Sequence, residues 1–452
     1  MKELKGTAGD LYAEIRDLPI VSPHGHTEPA WFAEDAPFPD PATLLIVPDH
    51  YVFRMLYSQG VRLEELGVGV PEAARDPRAI FQRFAQHWDL FLGTPSRWWM
   101  EYVLTQTIGC DMPLGPETAD AIYDQITEWL QRDETRPRAL YDRFGIEVLA
   151  TTDSALDDLR HHRTIRESQW EGRVIPTFRP DGLLDATRPE WQAELDRLGE
   201  ITGEDTKDFK GFLDAIRKRR RAFRDMGATA TDHAVEVLQT LWLDNLEALY
   251  AKLRAGQGSA EEAASFTGHM LTEMAQMSVE DGMVMQLHAG SRRNTNADVM
   301  ARFGRDKGAD IPVRSDFVRG LEPLLNRVGN TPNLTLILFT LDETTYAREL
   351  APMAGHWPCL RIGPPWWFHD SAAGIARYFD QVVETAGYWN LAGFNDDTRA
   401  FLSIPARHDL WRRATALHLA GQIEKGLFGR GDARMLAEEL AVGLARKSYK
   451  LG

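Results

Sequence analysis

The sequence predicts an α/β protein folded as a (β/α)8 barrel, and two observations indicate this fold class. Eight short apolar segments alternate along the chain with longer amphipathic segments, the order expected of parallel strands that are each followed by a helix. Polar and aromatic residues collect just after the apolar segments, which is the end of a barrel where active sites are built. With 452 residues, 43% of them hydrophobic, the chain is long enough for one barrel with insertions. We therefore expect one domain over residues 1–452.

The predicted strands are short runs rich in aliphatic and β-branched residues. In chain order they begin with Ile20 and Val21 and continue over residues 146–152, 174–178, 228–231, 283–287, 334–340, 360–363 and 391–394. Helical periodicity separates most of these runs, for example over residues 209–226, 232–256 and 372–386. The alternation of strand and helix predicts a parallel sheet closed on itself.

Two regions do not fit the repeating pattern. Residues 27–145 predict a mostly helical insertion after the first strand, and the simplest role of its many aromatic side chains is to form the core of that insertion. Residues 407–449 predict C-terminal helices that pack on the outside of the barrel.

The composition excludes several classes of function. The formal net charge is −16 and no basic run is present, which argues against binding to nucleic acid or to anionic membrane surfaces. The sequence has two cysteines, no signal peptide at its start and no membrane-length apolar run, so we expect a cytoplasmic protein. Acidic barrels of this kind are often homo-oligomers, and we expect the same here. An anionic substrate would need its own local arginines.

The segment that ends the first strand predicts a metal site. His24 and His26 are separated by Gly25, and residues two apart in an extended segment point to the same side. Asp397 follows the eighth strand, which neighbours the first strand in a closed barrel. Two imidazoles and one carboxylate with open positions are the ligands that a catalytic Zn²⁺ or Mn²⁺ uses. We expect one divalent cation, Zn²⁺ with Mn²⁺ as the alternative.

Further polar residues follow other strands. His233 and His288 are candidates for a further ligand, for substrate contacts, or for hydrogen-bonded structural roles. Arg179 and Arg399 could bind a carboxylate in a bidentate manner, or tie loops together. Trp366 is expected to wall the pocket.

One polar cluster lies inside the predicted insertion. Asp49, His50 and Tyr51 follow Pro48 and precede apolar residues. Buried together, such a cluster could make the tyrosine a proton carrier; the alternative is a turn with a packed tyrosine.

Taken together, six motifs in this chain resemble uronate isomerases of the amidohydrolase superfamily. They are, in order, His24-Gly25-His26, Asp49-His50-Tyr51, Phe178-Arg179-Pro180-Asp181, Met285-Gln286-Leu287-His288, Trp366-Trp367-Phe368 and Asp397-Thr398-Arg399-Ala400-Phe401-Leu402-Ser403. The motifs occur in family order and span nearly the whole chain.

The resemblance implies a distorted (β/α)8 barrel that interconverts D-glucuronate with D-fructuronate and D-galacturonate with D-tagaturonate. Carried over position by position, it implies metal ligands at His24, His26 and Asp397, and substrate contacts at Tyr51, Arg179 and Arg399. Asp396 is a second candidate for the aspartate ligand. Our hypothesis for the isomerisation is that Tyr51, assisted by His50, moves the carbon-bound proton while Asp397 moves hydroxyl protons.

Three other functions compete with this interpretation. A metal hydrolase of the same superfamily would use Asp397 as the base for water attack. A metal-dependent decarboxylase would share the cation and the carboxylate clamp. A barrel without chemistry would serve as a binding protein.

Overall fold

The computed structural model describes residues 3–452, and most of its strands pair in parallel. The strands are β1 (Ile20–Ser22), β2 (Ile146–Ala150), β3 (Asp153–Ser154), β4 (Val174–Ile175), β5 (Phe178–Arg179), β6 (Ala230–Val235), β7 (Val284–Ala289), β8 (Ser291–Arg292), β9 (Ile311–Pro312), β10 (Leu336–Thr340) and β11 (Leu360–Ile362). One parallel sheet has the order β1-β2-β4, and a second has the order β11-β10-β7-β6-β5-β3. Strands β8 and β9 form a separate antiparallel pair.

The two parallel sheets adjoin. Only two residues separate β2 from β3, and only two separate β4 from β5. Backbone hydrogen bonds continue across both gaps, because Thr151 N donates to Ile175 O at 2.9 Å and Asp153 N donates to Thr177 O at 3.0 Å. Each of these pairs of strands is therefore one extended segment with a local irregularity.

Helices connect the strands. Those before β2 are α1 (Gly6–Ile15), α2 (Pro29–Glu34), α3 (Pro41–Leu45), α4 (His50–Tyr57), α5 (Pro77–Gln86), α6 (Pro95–Tyr102), α7 (Ala119–Leu130) and α8 (Pro137–Arg143). The later helices are α9 (Arg160–Glu167), α10 (Asp181–Leu184), α11 (Trp191–Thr202), α12 (Phe209–Asp225), α13 (Leu246–Arg254), α14 (Ala260–Asp281), α15 (Ala297–Phe303), α16 (Phe317–Val328), α17 (Ala351–Ala354), α18 (Ala372–Ala386), α19 (Ile404–Glu424), α20 (Arg430–Glu438) and α21 (Leu444–Ser448).

Seven of these helices, α2 to α8, lie between β1 and β2. Several begin at an aspartate whose carboxylate accepts a hydrogen bond from the first turn: Asp40 caps α3, Asp49 caps α4 and Asp76 caps α5. Helices α3 and α5 have proline at their first position, where its fixed φ favours the start of a helix. Most of the aromatic side chains of this region form a hydrophobic cluster of their own, which also includes Ile20 and Phe401.

Two sequence-based assignments differ from the structure. Residues 232–256 are not one helix: β6 continues to Val235, and the helix here is Leu246–Arg254. The strand persists because it pairs with β7 as far as Val235 and because Asp232 finds a buried partner in His288, so tertiary contacts override the weak strand preference of Asp232 and His233. Residues 391–394 form one parallel bridge, between Leu391 and Ile362, because Gly393 has a φ of 82° that interrupts an extended ladder.

The larger hydrophobic core surrounds β6, β7 and β10. Strands β7 and β10 are buried along their whole length, and helices such as α12, α14 and α18 contribute apolar side chains to the same core. Within residues 3–452, no helix combines the length and the apolar character needed to cross a bilayer.

Candidate functional site

A cavity of about 650 Å³, part of it open to solvent, lies at the carboxyl ends of the parallel strands. Its wall is formed by His24, His26, Pro48, Asp49, His50, Tyr51, Arg179, Asp232, His288, Arg293, Trp366, Trp367, Asp397, Thr398, Arg399 and Ala400. Every residue named from the sequence as a candidate therefore lines it, with the exceptions of His233 and Asp396.

Two histidines and one aspartate converge at the base of this cavity. Asp397 Oδ1 lies 3.4 Å from His24 Nε2 and 3.0 Å from His26 Nε2. Backbone hydrogen bonds hold the two segments side by side, because Asp397 N donates to His24 O at 3.3 Å and His26 N donates to Thr398 O at 2.9 Å. The segment with His24 and His26 and the segment with Asp397, which are far apart in sequence, are therefore neighbours in the structure.

The adjacent aspartates have different surroundings. Asp396 Oδ2 lies 3.2 Å from His408 Nε2, in the buried interior, whereas the carboxylate of Asp397 faces the two cavity histidines. Asp397 has a φ of 39°, in the left-handed region that few residues other than glycine adopt. Because of this turn of the backbone, the Asp396 side chain faces the interior and the Asp397 side chain faces the cavity.

The three side chains His24, His26 and Asp397 fit a divalent cation. Their donor atoms all lie within 4.8 Å of one another. Burial lowers the pKa of His26, which keeps its imidazole neutral. Burial alone would raise the pKa of Asp397, but the two histidines hold that pKa well below its usual range. Neutral imidazole and ionised carboxylate are the forms that bind metal. Asp397 also raises the pKa of His24 against the effect of burial, so the carboxylate favours positive charge at this point.

A second buried cluster joins three strands beside the first. His288 Nδ1 lies 2.7 Å from Asp232 Oδ1, and Arg179 Nη1 lies 3.3 Å from Asp232 Oδ2. Arg179 also donates from Nε to Asp181 at 2.8 Å. His288 Nε2 is buried without a hydrogen-bond partner, and its ring stacks on His24 with centroids 4.9 Å apart. His24, Asp232 and His288 form a second group of donor atoms close enough to share a cation.

Asp232 is the residue of this cluster that sequence reasoning missed. It lines the cavity, whereas His233, its neighbour, lies outside the cavity wall. His233 Nε2 is 3.0 Å from Thr231 Oγ1, and burial lowers the pKa of His233 to about 3. Consecutive strand residues point to opposite faces, so only one of the pair could face the site. The sequence carried one signal that could have identified Asp232: side chains alternate between the two faces of a strand, so Asp232 shares a face with Ala230 and His233 does not.

The Asp49–Tyr51 segment enters the cavity from α4. Asp49 caps the helix through the backbone amide of Tyr51 at 2.8 Å. The rings of His50 and Tyr51 stack with centroids 4.7 Å apart, and Trp367 contacts His50 edge-on. Burial and the nearby arginines lower the pKa of His50 to about 3, while burial raises the pKa of Tyr51 well above its usual range. Both side chains are therefore neutral near pH 7.

Cationic and aromatic side chains form the rest of the wall. Arg399 is exposed on the side open to solvent. Arg293, which sequence reasoning did not single out, is 3.3 Å from Asp310 and lies over the ring of Trp367 at 5.5 Å. The Trp366 ring contacts His288 at 4.7 Å between centroids. The cavity therefore combines three arginines with indole surfaces, which suits a small anion that also has apolar faces.

Comparison with known proteins gives the family. Residues 3–444 match the family described as glucuronate isomerase. The chain belongs to the glucuronate isomerase family. Among the relatives of the family, a uronate isomerase of Rhizorhabdus wittichii is 58% identical over 98% of this chain and 94% of its own length. A uronate isomerase of Rhizobium meliloti is 54% identical over 99% of this chain and 96% of its own length.

A solved structure of the same family has nearly the same fold. The crystal structure of glucuronate isomerase from Caulobacter crescentus superimposes with a TM-score of 0.97 at 50% sequence identity, and the match covers 98% of this chain and 94% of that one. The resemblance inferred from the six motifs is thereby confirmed, and this member of the family is an isomerase.

Proposed function

We propose that this chain interconverts D-glucuronate with D-fructuronate and D-galacturonate with D-tagaturonate through an enediol. The observation that carries the proposal is the cavity in which His24, His26 and Asp397 meet directly beside the Arg179–Asp232–His288 cluster. Membership of the glucuronate isomerase family and the uronate isomerase relatives support the reaction.

We assign the metal site to His24, His26 and Asp397. A divalent cation held there, Zn²⁺ or Mn²⁺, would supply a Lewis acid that orients the carboxylate end of the sugar. Arg179 and Arg399 would bind the sugar carboxylate and the developing oxyanion, because a guanidinium matches both in shape and charge. Trp366 would exclude water from one face of the substrate.

An enediol route requires one group that accepts a proton and one that supplies a proton. At rest the Asp397 carboxylate is ionised and the Tyr51 phenol is neutral, so Tyr51 first gives its proton to Asp397. We assign the carbon-bound proton to Tyr51, with His50 packed on its ring, and the hydroxyl protons to Asp397: the phenolate takes the proton from C2 while Asp397 protonates the carbonyl oxygen, and then the phenol returns the proton to C1 while Asp397 accepts the proton of the 2-hydroxyl. The roles reverse in the back reaction. His288 is assigned a substrate contact through its free Nε2; His233 lies outside the cavity wall and carries no role in this scheme.

We further infer that the strands close into a distorted (β/α)8 barrel, a single domain with residues 27–145 as its helical insertion. Three observations support closure: the hydrogen bonds that continue between the two parallel sheets, the bridge from Ile362 to Leu391, and the bonds from the Asp397 segment back to His24 and His26. The cytoplasmic location and the homo-oligomeric state stay predictions.

The test is turnover of both uronates, followed by NMR and by a coupled reductase assay, together with metal analysis of the purified protein. We expect one divalent cation per chain. Asp397→Asn should abolish both turnover and cation binding, whereas Asp396→Asn, the matched control, should retain the cation because Asp396 faces His408. Near-normal turnover of Tyr51→Phe would show that the tyrosine assignment is wrong. Hydrolysis of lactones or dipeptides, or release of carbon dioxide, in place of uronate isomerisation would contradict the proposed reaction.

A further inference from the structure

The last residues of the chain close the end of the sheet opposite the cavity. Arg173 Nη1 donates to Leu451 O at 2.8 Å, and Lys450 Nζ donates to Gly282 O at 2.8 Å and to Asn333 O at 3.2 Å. The three residues contacted lie just before β4, β7 and β10. The tail therefore crosses the amino ends of three parallel strands.

From this tail one side chain reaches inward. Tyr449 is 1% exposed; its hydroxyl donates to Gln286 Oε1 at 3.1 Å and accepts from Asn395 Nδ2 at 3.0 Å. Gln286 precedes His288 by two residues on β7, so their side chains share one face of that strand. Asn395 likewise precedes Asp397 by two residues. One phenol thus joins the two segments that carry cavity residues.

The segment held by Asn395 contains a strained residue. A left-handed φ costs a residue other than glycine about 1–2 kcal/mol, and an aspartate somewhat less than most, so Asp397 keeps its φ of 39° only if the flanking backbone is fixed. On the C-terminal side, the bond from His26 N to Thr398 O fixes it. On the N-terminal side, two side-chain contacts hold it: Asp396 Oδ2 lies 3.2 Å from His408 Nε2, and Asn395 Nδ2 donates to the Tyr449 hydroxyl at 3.0 Å.

We propose that Tyr449 is a positioning residue for the cation site: through Asn395 it holds the strained turn that aims the Asp397 carboxylate at His24 and His26. This inference rests on the proposed assignment of the metal ligands. Loss of the phenol oxygen leaves the Asn395 amide without its acceptor and lets the turn relax, so the ligand carboxylate spends less time in the binding geometry. Partners that orient metal ligands change affinity by about 10- to 100-fold when they are removed.

The experiment compares wild type, Tyr449→Phe and Lys450→Gln. The first variant removes one hydroxyl and keeps the packed ring; the second is the matched control, because it frees the tail from the carbonyls of Gly282 and Asn333 but keeps the Tyr449 bonds. The apoproteins are titrated with Zn²⁺ against a chromophoric chelator and with Co²⁺ followed by its visible absorption. Thermal unfolding of the same samples measures the general effect on stability.

We expect Tyr449→Phe to weaken binding of both cations by about tenfold or more and to change the Co²⁺ spectrum, while Lys450→Gln keeps the wild-type affinity within about twofold. Asn395→Ala, which removes the same hydrogen bond from the other side, is expected to match Tyr449→Phe, and replaces it if that protein does not fold. Wild-type affinity in Tyr449→Phe or in Asn395→Ala, or equal weakening in Lys450→Gln, would overturn the inference and leave the proposed function intact. Absence of cation binding in the wild type would overturn both.

Discussion

The substitution Asp232→Asn tests how the second cluster works, because its geometry dictates which way the new amide must face. Arg179 Nη1 is only a donor and lies 3.3 Å from Oδ2 of Asp232, so the amide oxygen of the asparagine must stay on that side. The amide NH2 then replaces Oδ1, which lies 2.7 Å from Nδ1 of His288. Two donors cannot face each other, so Nδ1 has to become an acceptor.

This change moves the proton of His288 to its other nitrogen. Burial lowers the pKa of His288, so the ring stays neutral and carries one proton. In the wild type that proton is on Nδ1, and Nε2 presents its lone pair to the interior. In the variant the proton is on Nε2. An incorrectly oriented tautomer of a histidine in an active site reduces turnover by about 10²- to 10⁴-fold, and we expect a loss of kcat in that range.

The assay is the kcat for glucuronate, with the tautomer read by NMR of protein labelled with ¹⁵N-histidine. Asp181→Asn is the matched control, because Asp181 also pairs with Arg179, at 2.8 Å, but has no contact with His288. We expect the control to lose less than about tenfold. Equal losses in the two variants would refute the tautomer argument and indicate that the charge balance of Arg179 alone matters. An unchanged tautomer in Asp232→Asn would refute it directly.

Three further predictions concern stability and the shape of the site. Burial raises the pKa of Asp153 to about 7, so the folded state binds this proton more tightly than the unfolded state does. The free energy of unfolding therefore decreases as the pH rises from about 4 to 7. Urea unfolding at pH 5 and at pH 8 should show that the wild type loses about 3 kcal/mol over this interval relative to Asp153→Asn. Arg407→Met leaves Asp370 buried without its 2.7 Å partner and should lower the free energy of unfolding by about 3–5 kcal/mol at pH 8. The loss should be smaller at pH 5, since burial already raises the pKa of Asp370 to about 6 and the protonated carboxyl tolerates the interior; an equal loss at both pH values would contradict this. Gly308→Ala places a Cβ 2.8 Å from Arg54 Cβ at a φ of 75°. The substitution should lower the free energy of unfolding by about 1–2 kcal/mol and raise KM by displacing α4. An unchanged KM with a lower melting temperature would limit the effect to stability.

The sequence predicted the parts of the fold that depend on local pattern. Segment 336–340 is almost wholly apolar and segment 284–289 is apolar apart from Gln286 and His288, and both are strands close to their expected bounds. The His24-Gly25-His26 motif stood out because its spacing has a direct geometric meaning in an extended segment. The family followed from motifs, each of which is weak alone, because their order along the chain is specific.

What the sequence left open depends on contacts between distant residues. Nothing local distinguishes Asp396 from Asp397, since the choice follows from a left-handed φ that only the surrounding structure enforces. Asp232 was passed over for His233 because the strand was expected to end before both residues, so its alternation was not applied to them. The role of Tyr449 was equally hidden: the C-terminal helices were expected to pack outside, and its side chain is buried against residues 54 and 163 positions away.

The proposed metal ligands and proton carriers come from three regions that are far apart in sequence, and this explains why the site depends on the whole chain. The histidine pair lies near the start, the Tyr51 helix belongs to residues 27–145, and Asp397 with its Tyr449 anchor lies near the end. No one of these regions holds a complete set of cation donors or a complete proton path. Because Asp397 is strained and its partners sit on separate segments, the binding geometry exists only when both ends of the chain have packed together. Damage to the tail should therefore affect cation affinity before it affects the apolar core around β7 and β10, whose strands are buried along their whole length.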